Sequence, residues 1–211
     1  MFTGMIEEIG KIKRLTGDGS CTRLWVQAQT VLEGTKIGDS IAVDGICLTV
    51  AELFPDGFSA DVMAETLRRS ALAGKRAGDT VNLERAMAAN GRFGGHMVSG
   101  HIDGTGTVRE RRREGNAEWI TIQTTPEILE LIVEKGSIGI DGISLTVAKV
   151  LSDAFCVSVI PHTARETTLL SRRAGDFVNL ENDMLGKYVQ KLLAGRKQDG
   201  LTMELLKEYG I

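Results

Sequence analysis

Ser40-Ile41-Ala42-Val43-Asp44-Gly45-Ile46-Cys47-Leu48-Thr49-Val50-Ala51 returns 97 residues later as Ser137-Ile138-Gly139-Ile140-Asp141-Gly142-Ile143-Ser144-Leu145-Thr146-Val147-Ala148. The same offset carries Phe58 onto Phe155, Thr66 onto Thr163, Arg68 onto Arg165 and Arg76-Ala77-Gly78-Asp79 onto Arg173-Ala174-Gly175-Asp176. It ends by laying Val81-Asn82-Leu83-Glu84 on Val178-Asn179-Leu180-Glu181. Residues 40–87 and 137–184 share 24 identities in 48 ungapped positions, far beyond chance. One residue out of step, Thr3-Gly4-Met5-Ile6 matches Ser99-Gly100-His101-Ile102. The chain therefore reads as a duplication of 1–88 and 98–184, joined by Asn90-Gly91-Arg92-Phe93-Gly94-Gly95, with 185–211 left over.

Each half reads as strands. Asp44-Gly45, between apolar runs at 41–43 and 46–53, supplies the positive φ angles of a two-residue type I′ hairpin. Asp56-Gly57 marks a second hairpin before 58–63, and Gly17-Asp18-Gly19 and Gly115-Asn116 break the first hairpin of each half. One short helix per half is expected, over 65–72 and 163–170. Six short strands in each half suit a small closed antiparallel barrel, which removes exposed edges. A parallel α/β order is disfavoured, because long crossover helices are missing.

After Glu181 the duplication stops. Met184, Leu185, Tyr188, Val189, Leu192 and Leu193 recur at helical spacing, and Gly195 follows as an expected stop. Such an apolar stripe needs a cover. Its own barrel and another subunit are both open readings. A further short helix is expected over 201–209, with Thr202 as N-cap.

Composition excludes several classes. The net charge of −3 lacks the basic excess of a nucleic-acid binder. No apolar run approaches a membrane span, and the opening residues do not resemble a secretion signal. The three cysteines, Cys21, Cys47 and Cys156, are odd in number, widely spaced and without a Cys-x-x-Cys pair. They read as reduced thiols of a cytoplasmic protein rather than as disulfides or a zinc site. Aromatics are only 5 %, against an aromatic binding cage, and the 25 glycines fit many tight turns.

Familiar chemical signatures are missing. Gly104-Thr105-Gly106 lacks a third glycine and a following helix, and no Walker lysine pattern occurs. Arg109-Glu110-Arg111-Arg112-Arg113 reads as a solvated hairpin tip. His96, His101 and Asp103 do not have the spacing of a metal site, and His96 reads as a hydrogen-bonded linker residue. His101 stands where the first half has Met5, so the repeat does not require it, and an imidazole moves protons near neutral pH. Cys47 in one copy is Ser144 in the other. The plain explanation is neutral packing. The chemical one is that a thiol is the better nucleophile and a hydroxyl the better donor, so two like pockets would treat similar molecules differently. Asp44 and Asp141 serve their turns. Asp183, opposite Ala86, and Lys135, opposite Gly38, occur in the second half alone, where a surface acid and a loop lysine are the plain readings. His162, opposite Glu65, fits a helix cap or a ligand contact.

Together, Met1-Phe2-Thr3-Gly4, the twin Ser-Ile-x-x-Asp-Gly-Ile-[Cys/Ser]-Leu-Thr-Val-Ala, Gly94-Gly95-His96-Met97-Val98-Ser99-Gly100-His101 and the closing Val-Asn-Leu-Glu resemble the riboflavin synthase alpha chain family over residues 1–190. The resemblance implies an all-β fold of two tandem six-stranded Greek-key barrels, a C-terminal helix joining three chains, and no metal or organic cofactor. It implies a transferase acting on 6,7-dimethyl-8-ribityllumazine, two molecules of which dismutate to riboflavin and 5-amino-6-ribitylaminouracil. The productive site would lie between the first barrel of one chain and the second barrel of its neighbour. It leaves open a complex with lumazine synthase. Carried over by position, the first pocket takes Ser40, Cys47, Leu48 and Thr49 with Asp61, Val62, Met63, Ala64, Glu65 and Thr66. The second takes Ser144, Leu145 and Thr146 with Ser158, Val159, Ile160, Pro161, His162 and Thr163. Gly4, Met5 and Ile6, and Gly100, His101 and Ile102, would close the pockets, with Lys135 reaching in from another chain. His101, Cys47, Ser144 and Asp183 are the implied catalytic set. His162 stands where the family more often has an acid, which leaves that side chain's contact open. A non-catalytic lumazine- or flavin-binding antenna protein shares the barrel pair and is the rival reading. A reductase-type flavin barrel is opposed by the duplication.

Overall fold

The computed structural model describes residues 1–17 and 22–196. Part of the break at 17–19 and the helix expected over 201–209 lie outside the described residues. The first half forms β1 (Glu8–Gly17), β2 (Thr22–Gln27), β3 (Ser40–Val43), β4 (Ile46–Phe54), β5 (Gly57–Val62) and β6 (Thr80–Arg85). The second forms β7 (Gly104–Glu114), β8 (Ala117–Gln123), β9 (Ser137–Ile140), β10 (Ile143–Val150), β11 (Ala154–Val159) and β12 (Phe177–Asn182). Each set closes into an antiparallel barrel, ordered β1-β2-β5-β4-β3-β6 and β7-β8-β11-β10-β9-β12. Strands β3, β4 and β5 are successive neighbours and β2 crosses over to lie beside β5, which makes the Greek key.

Strand alternation fills each barrel. Ile41, Val43, Leu48, Val50, Phe58, Val81 and Leu83 point into the first, and Ile138, Ile140, Val147, Phe155, Val178 and Leu180 into the second. Fully burying such a side chain contributes roughly 1.5–3 kcal/mol.

The short helices differ from expectation in their bounds. Helix α1 (Ala64–Arg69) stops one turn early. Ser70 is extended, and its Oγ accepts the Leu72 N–H to start a separate 3-10 turn. Pro161 takes a first-turn position in α3 (Pro161–Glu166), so that helix begins and ends earlier than 163–170. A short helix α2 (Pro126–Leu129) precedes β9. Helix α4 (Met184–Arg196) runs through Gly195 rather than ending before it. It is tied down at its start by Lys187 Nζ, 2.6 Å from Asp103. Its apolar stripe is uncovered by its own barrel: Leu185 is 66 % and Leu192 72 % exposed. The arginine run lies on exposed hairpin strand, as expected, with Arg109 paired to Asp153 and Arg112 over the Trp119 ring.

The two barrels meet at their Asp-Gly turns. Asp44 and Gly45 have φ of 44° and 81°, and Asp141 and Gly142 have 45° and 80°. A Cβ on Gly45 would lie 2.7 Å from Gly142 N, so only glycine fits the contact. Asn82 Nδ2 donates to Asp141 O at 2.9 Å, and Asn179 Nδ2 donates to Asp44 O at 2.8 Å. Each aspartate accepts the backbone N–H of its own barrel's asparagine at 2.8 Å. Arg172 reaches both carboxylates, at 2.7 Å from Asp141 and 3.2 Å from Asp44, and Lys75 lies 2.6 Å from Asp44.

Burial and the Asp44 carboxylate push the Asp141 carboxyl up to about 6, against the pull of Arg172 and Lys75. An unfolded aspartate titrates near ~3.9. The folded chain thus binds this proton more tightly, and the stability it adds is full below that value and lost as pH rises through 6. Urea midpoints are expected to carry this loss between about pH 4 and 6 in the native sequence and not in Asp141→Asn. Equal pH dependence in the two proteins would remove Asp141 as its source.

Candidate active site

The outward positions of β3 and β4 make the first face. Ser40 pairs with Thr49 and Ala42 with Cys47, while Leu48 and Val50 turn into the barrel. The antiparallel β4–β5 pair, with Val50 opposite Ala60, brings 47–49 and 61–63 to the same end. Thr49, Asp61, Met63 and Glu65 are exposed there, and Cys47, Ala64 and Thr66 half-buried. The second barrel repeats this with Ser144 and Thr146 on β10 and with Ser158, Ile160, Pro161, His162 and Thr163 at and beyond the end of β11. Leu48, Val62, Leu145 and Val159 belong to the barrel cores, so only their backbone groups border the faces. The carboxylates near the first face are already partnered. Arg23 holds Asp61 at 2.7 Å and keeps its carboxyl low, and Arg69 and Arg68 do the same for Glu65.

Each face is closed by backbone from the other half, which the repeat alone does not show. Glu84, on the first barrel, accepts Thr3 N, Thr3 Oγ1 and Gly4 N at 2.7, 2.8 and 3.0 Å. Yet Gly4 O accepts Ser144 N of the second barrel at 2.8 Å, and Ile6 packs against the second core. Conversely, Glu181 accepts Ser99 N, Ser99 Oγ and Gly100 N at 2.6, 2.7 and 2.9 Å, while Gly100 O accepts Cys47 N at 2.9 Å. Ile102 packs against the first core. A Cβ on Gly4 would meet Ser144 Cβ at 2.6 Å, and one on Gly100 would meet Cys47 Cβ at 2.5 Å. Phe2 and Val98 exchange backbone hydrogen bonds between these segments and pack with Ala42. Burial raises the Glu84 carboxyl, and the Thr3 and Gly4 donors oppose that shift.

The expected catalytic residues come from different elements: Cys47 from β4, Ser144 from β10, His101 from the segment before β7 and Asp183 from just before α4. His101 is exposed and lines a cleft of about 300 Å³ with Ser99, Met184, Lys187, Tyr188 and Lys191. The equivalent cleft of the first half, about 580 Å³, is lined by Thr3, Met5, Ser40, Glu84, Arg85, Met87 and Arg92, and among the described residues no α-helix lines it. Asp183 caps α4, accepting Leu185 N at 3.0 Å, and its charge acts on His96. Lys135 is exposed on left-handed backbone, φ 66°, where the first half has Gly38 at 94°.

His96, expected as a hydrogen-bonded linker residue, makes that bond to the second barrel. The structure places its Nδ1 2.7 Å from Ser144 Oγ. The Gly94-Gly95 pair before it was the available signal, because Gly95 packs directly on Ser144. Among the described residues, no group of three or more His, Cys, Asp or Glu is placed to hold a metal.

The Lumazine binding domain family matches this chain twice, over residues 3–86 and 99–183. The riboflavin synthase of Actinobacillus pleuropneumoniae is 50 % identical over 214 residues, covering 100 % of both chains. That of Bacillus subtilis (strain 168) is 43 % identical, also over 100 % of both. Crystal structures of LumP complexed with 6,7-dimethyl-8-(1'-D-ribityl) lumazine and with riboflavin superpose with TM-scores of 0.78 and 0.80, covering 86 % of this chain and 99 % of LumP. At 24 % identity, that likeness speaks to the fold alone. With one such domain on each barrel and full-length relatives at this identity, the chain belongs to the riboflavin synthase family.

Proposed function

We propose that this chain is a riboflavin synthase, a transferase that moves a four-carbon unit between two molecules of 6,7-dimethyl-8-ribityllumazine. The products, riboflavin and 5-amino-6-ribitylaminouracil, together hold every atom of the two substrates. The observation that carries this reading is the pair of equivalent outward faces, alike in backbone and unlike in a few polar side chains, most directly under the covering glycines. Cys47 lies beneath Gly100 on one, and Ser144 beneath Gly4 on the other. Two copies of one substrate need like pockets with unlike roles. Full-length identity to riboflavin synthases supports the same chemistry.

Stacking two lumazines in fixed register replaces a bimolecular encounter by a local one, worth roughly 7–11 kcal/mol when alignment is good. In this reading His101 accepts a proton from the acidic C7 methyl of one lumazine, and Cys47 or a water adds to the other ring. Ser144 donates a hydrogen bond to a ring atom, and Asp183 supports the second face through its charge. Backbone groups at the ends of β4, β5, β10 and β11 read the heterocycle edge. Lys135 reaches the site of a neighbouring chain, because the chains form a cytoplasmic homotrimer through α4. The exposed stripe of Leu185, Tyr188, Val189, Leu192 and Leu193 supports that assembly. Phe2, Ala42 and Val98 pack together against Cys47 within the chain, and in this reading the two lumazines stack between faces of neighbouring chains. No helix of the described residues is long and apolar enough to cross a membrane.

Incubated with dimethylribityllumazine alone, the pure protein is expected to form one riboflavin for every two lumazines consumed, followed by absorbance. Tight binding with an unchanged spectrum would select the antenna reading. Single-turnover rates are expected to fall by about 10²-fold or more for His101→Gln. For Cys47→Ser and Ser144→Ala the expected drop is on the order of tenfold; unchanged rates in all three variants would remove these roles. Sedimentation should give three times the mass of the chain and a smaller particle for Leu192→Asp. A native monomer at micromolar concentration would overturn the trimer.

A further inference from the structure

We propose that His96 is a positioning residue for the second face: its Nδ1–H holds one lone pair of Ser144 Oγ and so turns the serine O–H outward, toward the bound heterocycle. This rests on the function proposed above. Three groups close around Ser144. Gly4 O accepts its N–H at 2.8 Å, and the Gly95 backbone packs on it so tightly that a Cβ there would lie 2.8 Å from Oγ. His96 completes the enclosure, with Nδ1 at 2.7 Å from Oγ and its own N–H donated to Thr3 O at 3.2 Å.

The direction of the Nδ1–Oγ bond follows from the other ring nitrogen. His96 Nε2 is buried and has no hydrogen-bond partner among the described residues. Burial lowers the proton affinity of His96, against the charges of Asp183 and Glu181. A neutral ring has one N–H. Placed on Nε2, that N–H would be buried and unpaired, whereas a bare nitrogen lone pair is the milder deficit. The proton is therefore assigned to Nδ1, and Ser144 Oγ accepts. The opposite arrangement, with His96 as a base activating the serine, calls for an acceptor that orients Nε2–H. Nothing among the described residues supplies one.

The same geometry explains why the twin turns carry different residues. Cys47 packs against the apolar cluster of Phe2, Ala42 and Val98, where a sulfur is at home. Ser144 faces an imidazole instead. The first face thus presents a polarisable thiol and the second an aimed hydroxyl donor, suited to a ring nitrogen or carbonyl oxygen.

A double-mutant cycle of His96→Leu and Ser144→Ala tests this, read by single-turnover rate and by riboflavin affinity from fluorescence quenching. Each single variant is expected to lose on the order of tenfold in rate. The double variant should match Ser144→Ala within about twofold, because His96 acts only through the hydroxyl. His96→Asn keeps an amide N–H near the Nδ1 position and should recover much of the rate, whereas His96→Gln should not. If the leucine variant does not fold, His96→Gln carries the same cycle. Additive losses, or recovery by Gln and not Asn, would overturn the positioning role. A native protein that binds lumazine without forming riboflavin would instead overturn the function, and the cycle on riboflavin affinity would still decide His96.

Discussion

Everything in this molecule is hung on the contact between two glycines. Gly45 and Gly142 bring their turns together so closely that neither tolerates a Cβ, and positive φ angles at all four turn residues hold the backbones in place. Asn82 and Asn179 then each spend a side-chain amide on the opposite turn. Their oxygens are used as well, accepting Thr168 N and Ala71 N at 2.8 and 2.7 Å. The buried charges around this contact are balanced, two carboxylates against Lys75 and Arg172. Such a network fixes an arrangement more than it adds stability, and removing one member leaves an uncompensated charge at roughly 3–5 kcal/mol.

With the turns fixed, the leading segments cross over. Glu84 and Glu181 grip the segment of their own half, and that segment then covers the face of the other. The residue it covers, Cys47 or Ser144, sits two positions beyond the turn glycine. The inter-barrel contact therefore also sets the depth at which the thiol and the hydroxyl lie. Neither face is finished by its own barrel, so the duplication works as a pair rather than as two independent modules.

The barrels were legible because repetition exposes a fold twice. The Asp-Gly turns, the apolar alternation and the glycine spacing agree in both copies, so local preference and pattern point to one answer. Helix bounds were less legible, because Ser70 and Pro161 act through a side-chain cap and a fixed φ rather than through apolar period. The crossing of the leading segments was not legible at all. Aligning Thr3-Gly4 with Ser99-Gly100 says that they are equivalent and nothing of which barrel each covers. His96 was legible as a hydrogen-bonded linker residue but its partner was not: Ser144 lies 48 residues away, and only the Gly94-Gly95 pair signalled close packing there. Lys75 and Arg172 map onto each other across the repeat, and that match was the available sign of the charge network at the turns.

The asymmetries fall mostly on the second half. His101 replaces Met5, Asp183 replaces Ala86, and α4 rims a cleft whose first-half equivalent has no helix among its described lining residues. Lys135 is the clearest case in physical terms. Gly38 adopts left-handed backbone freely, whereas a lysine there is held at a cost of roughly 1–2 kcal/mol. Its backbone N–H donates to Val147 O at 2.9 Å, the same bond that Gly38 makes to Val50 O. The backbone interaction is thus satisfied equally well without a side chain. What the lysine adds is an exposed, charged side chain just before β9. The second half thus keeps the backbone geometry of the first and differs in the polar side chains it carries there.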